Sequence, residues 1–358
     1  MLLGLNQSFV TMANIYDVAS TARVSVATVS AVVNNTAYVS PLLKARVEAA
    51  VKRLGYRPNL VARGLATQQS RTLGVIVPNI ANPFWPEVVR GIEDEAHRRG
   101  YTLLLASGDD DPHKEGRYIT MFLAKGVDGI LLTKAAGPLS RDALAQLKSS
   151  RTPVVQLMRS SQAVPGDTVL VDERGGSFEA VMHLARLGYQ RIAMINGLPN
   201  VSTSKRRLAG YRDALAESGR DFDADLVVHG DFWIDSGYRA GLEILKKRPQ
   251  AVFIANYLMT VGFMRALKQY QLRCPDDIAI VTCDDHPWLD SFTPRLTTVN
   301  LPKYELGQEG ARLLLDRAAG STPRKAPGRG RTIVLETTLR IRESCGFERR
   351  AVARAAQR

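Results

Sequence analysis

The side chains that could do chemistry in this chain point to contact with nucleic acid rather than to catalysis. The five histidines, His97, His113, His183, His229 and His286, are scattered along the chain, and no GxGxxG, GxxxxGK[ST], GxSxG or HExxH occurs. Cys274, Cys283 and Cys345 are odd in number and lack CxxC spacing, so neither a disulfide framework nor a zinc site is indicated. No enzyme, cofactor or metal is therefore expected. Charge gives a positive indication. The formal net charge is +13. Residues 1–70 hold seven Lys/Arg against Asp17 and Glu48, and residues 324–358 hold ten basic residues against three acidic. The long middle is nearly neutral, so the chain reads as basic ends on a neutral body, a distribution that concentrates polyanions.

Those basic residues must be carried on elements, and the first 56 residues read as three short helices: IYDVASTA, SVATVSAVVN and SPLLKARVEAAVKRLGY. Ser25 can cap the second, Ser40 with Pro41 can open the third, and Gly55 can end it. Ala19 sits where two helices would cross, Val24 in the turn, and Val29 and Val32 face inward. Val26, Ala27, Ser30 and Ala31 are left outward, on a helix whose N-terminal residues suit the edges of bases in a major groove. An ordinary helical hairpin fits this spacing as well. Residues 57–70 are too polar for a core element but place Leu60, Val61 and Leu65 at helix-compatible spacing, which reads as a linker with a conditional turn of helix.

After Arg71 the texture changes. TLGVIVP, YTLLLAS, VDGILLT and PVVQL alternate with amphipathic stretches, and a second alternation begins at DTVLVD and runs through RIAMING, DLVVHGD, AVFIAN and IAIVTC. Strands separated by helices of ten or more residues require crossovers and parallel sheets. Two such series predict two doubly wound lobes with a ligand cleft at the strand carboxyl ends. No apolar run reaches membrane-spanning length, and MLLGLNQSFVTM lacks a basic n-region, so a cytoplasmic location is expected, with Met12 as the start.

The segments IYDVA, VSVATVSAVVN, VSPLLKARVEAAVKRLGYRPNLVARGLA and LGVIVPNIANPFWPEVVRGIEDEA resemble the lactose-repressor (LacI/GalR) family of bacterial transcription regulators. The resemblance continues through KGVDGILL, LARLGYQRIAMING, AVFIANYLM, CPDDIAIVTCDD and PRLTTVNLPKYELG, over about residues 13 to 345. It implies an N-terminal all-α helix-turn-helix domain followed by an α/β two-lobed, periplasmic-binding-protein-like domain with doubly wound parallel sheets. The implied division is an extension at 1–12, the DNA-binding domain at 13–56, a hinge helix or linker at 57–70, an effector-binding and dimerisation domain at 71–345 and a basic tail at 346–358. The first lobe would take about 71–168 and 301–330, the second about 169–300 and 331–345.

Carried over position by position, the resemblance makes Val26 and Ala27 the base readers, with Thr28, Ser30 and Asn34 placed for phosphates or neighbouring bases. It makes Leu65 a wedge into the central base step of an operator, with Ala62 and Arg63 beside it in the minor groove. The implied effector positions are Phe84, Thr203, Arg207, Phe232, Asn256 and Asp284. An aromatic face suits a sugar ring or base, and Arg207 and Asp284 suit hydroxyls or a carboxylate. Equally, Arg207 could pair with Asp284, and Phe84 could be plain core. The implied partners are palindromic operator DNA, a carbohydrate-derived effector and a second copy of the chain. The tail FERRAVARAAQR has no apolar heptad seam, so a dimer is expected rather than a tetramer.

The chain departs from the family pattern in four places. Many relatives carry glycine where Arg23 stands and arginine where Ala31 stands, and losing that arginine removes a guanine contact worth about 1–3 kcal/mol. Tyr257 stands where relatives often have aspartate, and PVVQLMR replaces PVVxxD, bringing in Met158 and Arg159. With Lys134 and Arg159 expected near the cleft, the substitutions suggest an anionic ligand such as a sugar acid. Two other functions fit parts of the pattern. A solute-binding protein of a transporter shares the two lobes but gives residues 13–66 no use, and a nucleotide-dependent enzyme lacks visible machinery.

Overall fold

The computed structural model describes residues 13–57, 69–319 and 330–347. The chain forms two compact units, residues 1–70 and 71–358.

In the first unit, α1 (Ile15–Ala22), α2 (Val26–Asn34) and α3 (Pro41–Leu54) pack around Val18, Ala19, Ala22, Val29, Val47 and Ala50. The sequence punctuates each helix. Asn14 accepts the amides of Tyr16 and Asp17 at 2.8 and 3.1 Å, and Asp17 returns a bond to the Asn14 amide, closing a capping box. Ser25 caps α2 through the Thr28 amide at 3.1 Å. Ser40 makes no side-chain cap, so α3 opens on Pro41, whose missing N–H needs no acceptor there. Gly55 ends α3 at φ 59°. The turn between α1 and α2 runs through Arg23 in the left-handed region, φ 52°, and Arg46 of α3 fastens it by donating to the carbonyls of Ala22 and Arg23.

The second unit holds two six-stranded sheets. Strands β1 (Thr72–Val77), β2 (Thr102–Ser107), β3 (Gly129–Leu132), β4 (Val154–Leu157), β5 (Asp167–Val171) and β11 (Thr332–Leu335) form the first, in the order β11-β5-β4-β3-β1-β2. Strands β6 (Ile192–Asn196), β7 (Val227–His229), β8 (Ala251–Ile254), β9 (Ala279–Cys283), β10 (Thr297–Asn300) and β12 (Thr338–Arg340) form the second, in the order β12-β10-β9-β8-β6-β7. All pairings are parallel except that of β10 with β12. Helices cover both faces, so β3, β4, β6, β8 and β9 are buried throughout and are largely apolar, with Gln156, Asn196 and Thr282 the polar residues among them.

The crossover helices are α4 (Phe84–Arg98), α5 (Pro112–Ala124) and α6 (Arg141–Ser149) in the first lobe and α7 (Glu173–Arg186), α8 (Ser202–Glu217), α9 (Ile234–Leu245) and α10 (Tyr257–Gln269) in the second. The last, α11 (Lys303–Ala318), returns to the first lobe and lies against α4. The two helices approach through glycines. A Cβ at Gly91 would run into the Tyr304 carbonyl, and one at Gly307 into that of Val88.

The lobe boundary differs from the sequence expectation. The apolar pattern places DTVLVD at the opening of the second lobe with a break at about 168/169, but β5 pairs with β4 in the first sheet, Val155 opposite Asp167. Residues 331–345 were assigned whole to the second lobe, whereas β11 pairs with β5, Thr332 opposite Thr168, and only β12 joins the second sheet. An apolar run states that it will be buried in a sheet but not in which one. The chain thus passes between lobes after residues 171, 300 and 335.

Candidate functional site

A cleft opens where the strands of both sheets end. The β7–α9 loop brings Phe232 to it, the first two turns of α8 bring Thr203 and Arg207, and the residues after β8 and β9 bring Asn256 and Asp284. Phe84, the first residue of α4, arrives from the other lobe. All six expected residues therefore line one cavity. Its wall also includes Arg159, expected near the cleft, and Trp85, Asp110, Asp231 and Trp233, which the sequence reading does not single out.

Charge in the cleft is organised as pairs. The Arg207 guanidinium, 3% exposed, donates from Nε to Glu173 and from a terminal nitrogen to the Ala255 carbonyl at 2.5 Å. Glu173, at the start of α7, is therefore its partner, not Asp284. A buried arginine demands a buried carboxylate, and that demand was the available signal. Burial pushes the Glu173 carboxyl up, with Arg207 pulling it back, while the guanidinium stays charged. Arg159 lies over the Phe232 ring, 5.3 Å from its centroid, and is held by Asp110. Lys134 does not line the cleft. It is buried in the first lobe against Glu115 at 2.9 Å, donating also to the carbonyls of Ala135 and Gly137. The positive surplus expected from Lys134 and Arg159 is absent because each cation has its own carboxylate.

Asp284 differs. It is 4% exposed and in no ion pair among the described residues, and burial pushes its carboxyl up against the opposing pull of Arg207 and Lys303. It faces the cleft with accepting capacity to spare. Asn256 caps α10 through the Met259 amide at 2.9 Å and donates to the Phe232 carbonyl at 3.0 Å, so it also holds the aromatic loop in place. Three cleft residues, Met158, Phe232 and Asp284, sit in the left-handed region at φ 64°, 71° and 74°. Strain of this kind costs on the order of 1–3 kcal/mol per residue and is sustained where the surroundings over-determine the backbone. Phe84 packs edge-on against Trp85 at 4.9 Å and is both core and cleft wall.

In the first unit, Ala27 is exposed at the start of α2. Val26 is half-buried and packs on the core, so only part of its side chain is presented. The Thr28 hydroxyl lies 2.9 Å from that of Ser25, and Asn34 donates to Ser30 at 3.2 Å, so these polar groups are pre-set in two local pairs. Ala62, Arg63 and Leu65 lie outside the described residues. No group of three His, Cys, Asp or Glu among the described residues is arranged to hold a metal, and no helix there is long and apolar enough to cross a membrane.

Comparison with known proteins covers both units. Residues 14–59 match the model for bacterial regulatory proteins of the lacI family, and residues 181–345 that for a periplasmic binding protein-like domain. The chain is 37% identical over 305 residues to catabolite control protein A of Priestia megaterium, covering 84% of this chain and 91% of that protein. It is 37% identical over 318 residues to the ribose operon repressor of Escherichia coli K12, covering 87% and 94%. Among solved structures it is similar to the lac repressor dimer bound to operator and an anti-inducer, with TM-score 0.81, 30% identity and coverage of 93% and 99%. It is also similar to a complex of the transcriptional regulator CelR with cellobiose, with TM-score 0.69, 34% identity and the same coverage.

Proposed function

Because this chain belongs to the lacI family of bacterial regulatory proteins, and so is a DNA-binding transcriptional regulator under effector control rather than an enzyme, we propose that it is a cytoplasmic homodimeric repressor whose effector is a neutral, hydroxyl-rich sugar. The observation that carries the effector class is the charge balance of the cleft. Arg207 and Arg159 are each matched by a carboxylate, while Asp284 lines the cavity in no ion pair among the described residues and accepts only the Tyr257 backbone amide there. An acidic sugar would bring its charge to a buried carboxylate, and among the described residues both cations that line the cleft, Arg159 and Arg207, are already matched. A neutral sugar offers hydroxyl donors to Asp284, and the Phe232 ring gives its apolar face a surface. Phe84, Thr203 and Asn256 complete that contact set.

On DNA, Val26 and Ala27 read thymine methyls, Thr28, Ser30 and Asn34 contact phosphates or neighbouring bases, and Leu65 wedges the central step with Ala62 and Arg63 alongside. Effector and operator are linked reciprocally, so each changes the other's affinity by the same factor.

The test is selection of bound duplexes from random DNA at stated salt, followed by calorimetric titration with neutral sugars and their uronic acids. An enriched inverted repeat whose affinity shifts with a neutral sugar supports the reading. Binding of the acids with neutral sugars ignored overturns the effector class.

A further inference from the structure

Lys303, the first residue of α11, is 3% exposed, and burying an ammonium group is costly unless it is fully bonded. Its Nζ donates to the backbone carbonyl of Asp285 in the second lobe and pairs at 3.0 Å with Glu87 of α4 in the first. Each of these contacts lies directly behind a wall of the cleft. Asp285 follows the cleft residue Asp284, whose backbone is held at φ 74°, and Glu87 lies one turn beyond Phe84 and Trp85. Lys303 itself begins the segment that follows the 300–303 crossing between lobes.

The far side of the Asp285 contact is anchored as well. The Asp285 carboxylate accepts from Arg340 at 2.5 Å, Arg342 at 2.8 Å and Thr298 at 2.9 Å. Thr298 is on β10, which leads into the 300–303 crossing, and Arg340 is on β12, which leaves the 335–338 crossing. A movement of the Asp284–Asp285 peptide therefore reaches two of the three crossings and, through one ammonium group, the opposite cleft wall.

We propose that Lys303 is a positioning residue, a pin behind the cleft that joins its two walls and couples what happens at Asp284 to the angle between the lobes. The inference rests on the effector-cleft reading but concerns lobe geometry, which can be measured without a ligand. Spin labels at Lys148→Cys on α6 in the first lobe and Lys246→Cys just past the end of α9 in the second, both exposed, report the inter-lobe distance distribution in the full-length protein. The expected result is one narrow distribution for the parent, a broadened one shifted to longer distance for Lys303→Met, and a narrow one again for Lys303→Arg, which keeps a donor to both partners. If Lys303→Met does not fold, Glu87→Gln, which retains the bond to Asp285, decides the matter by the same broadening. Unchanged distributions in the folded variants would overturn the pin. The effector reading is tested separately on the parent, by whether D-ribose or cellobiose at millimolar concentration shifts operator affinity. A broadened distribution with no response to sugars leaves the pin standing and removes that reading.

Discussion

The DNA-reading helix and the effector cleft handle polar groups in opposite ways. On α2 the polar side chains are short, partly exposed and bonded only to near neighbours, Ser25 to Thr28 and Asn34 to Ser30. In the cleft the cations are buried and matched by carboxylates, Arg207 to Glu173 across two helices and Arg159 to Asp110 between two loops, on a backbone held in the left-handed region at three residues. A helix that must meet a hydrated polyanion can leave its groups wet until the partner arrives. A cleft that must discriminate among small molecules has to pre-set its charges in a low-dielectric interior, where an unpaired one is expensive.

The sharpest way to break this contrast is Arg207→Ala. It strands Glu173 in the interior, and removing one partner of a buried pair destabilises by about 3–5 kcal/mol. Thermal unfolding should show that loss together with loss of the effector response, while the separate N-terminal unit still binds operator. A normal response would take Arg207 out of the binding set. Next comes Leu65→Ala, expected to weaken operator binding roughly ten-fold, about 1.4 kcal/mol, with effector affinity unchanged. Equal operator affinity in a salt-matched binding titration would refute the wedge.

A third effect is a slope with pH. Burial and the nearby Lys303 charge push the His286 imidazole down from 6.5 to about 4. A base depressed in the folded state contributes stability that is complete above 6.5 and is lost as the pH falls from 6.5 toward 4, because the unfolded chain takes up the proton first. The melting temperature should fall across that window and fall less in His286→Gln. A parallel slope in the two proteins would exclude His286 as the source. The smallest effect is on the DNA-reading side. Arg23 occupies a left-handed turn position, a conformation that favours glycine. Arg23→Gly should raise the stability of the N-terminal unit by up to about 1 kcal/mol in denaturant titration, the relief of side-chain strain exceeding the added freedom of the unfolded chain.

Much of the fold was legible from local chemistry. Ser25 capped α2 as a short polar side chain does, Pro41 and Gly55 bounded α3, and the alternation of apolar strands with amphipathic helices required two parallel sheets. The six cleft positions were reached through motif resemblance, and the structure brings them to one cavity. Pairing was not legible. Arg207 could be assigned to Asp284 on charge alone, yet the packing of α7 against α8 delivers Glu173 instead. Lys134 looked like a cleft cation until β3 and α5 enclosed it with Glu115.

The amino-acid sequence by itself determined the elements, their caps, the parallel character of the sheets and the basic helical unit at the front of the chain. These depend on interactions within a few residues, or on a burial pattern that recurs at a fixed period. The tertiary structure alone decided which carboxylate meets which cation, which sheet receives β5 and β11, and that Lys303 stands behind both cleft walls. Those outcomes depend on distances between residues remote in the chain, and a charge or an apolar run carries no record of the partner it will meet.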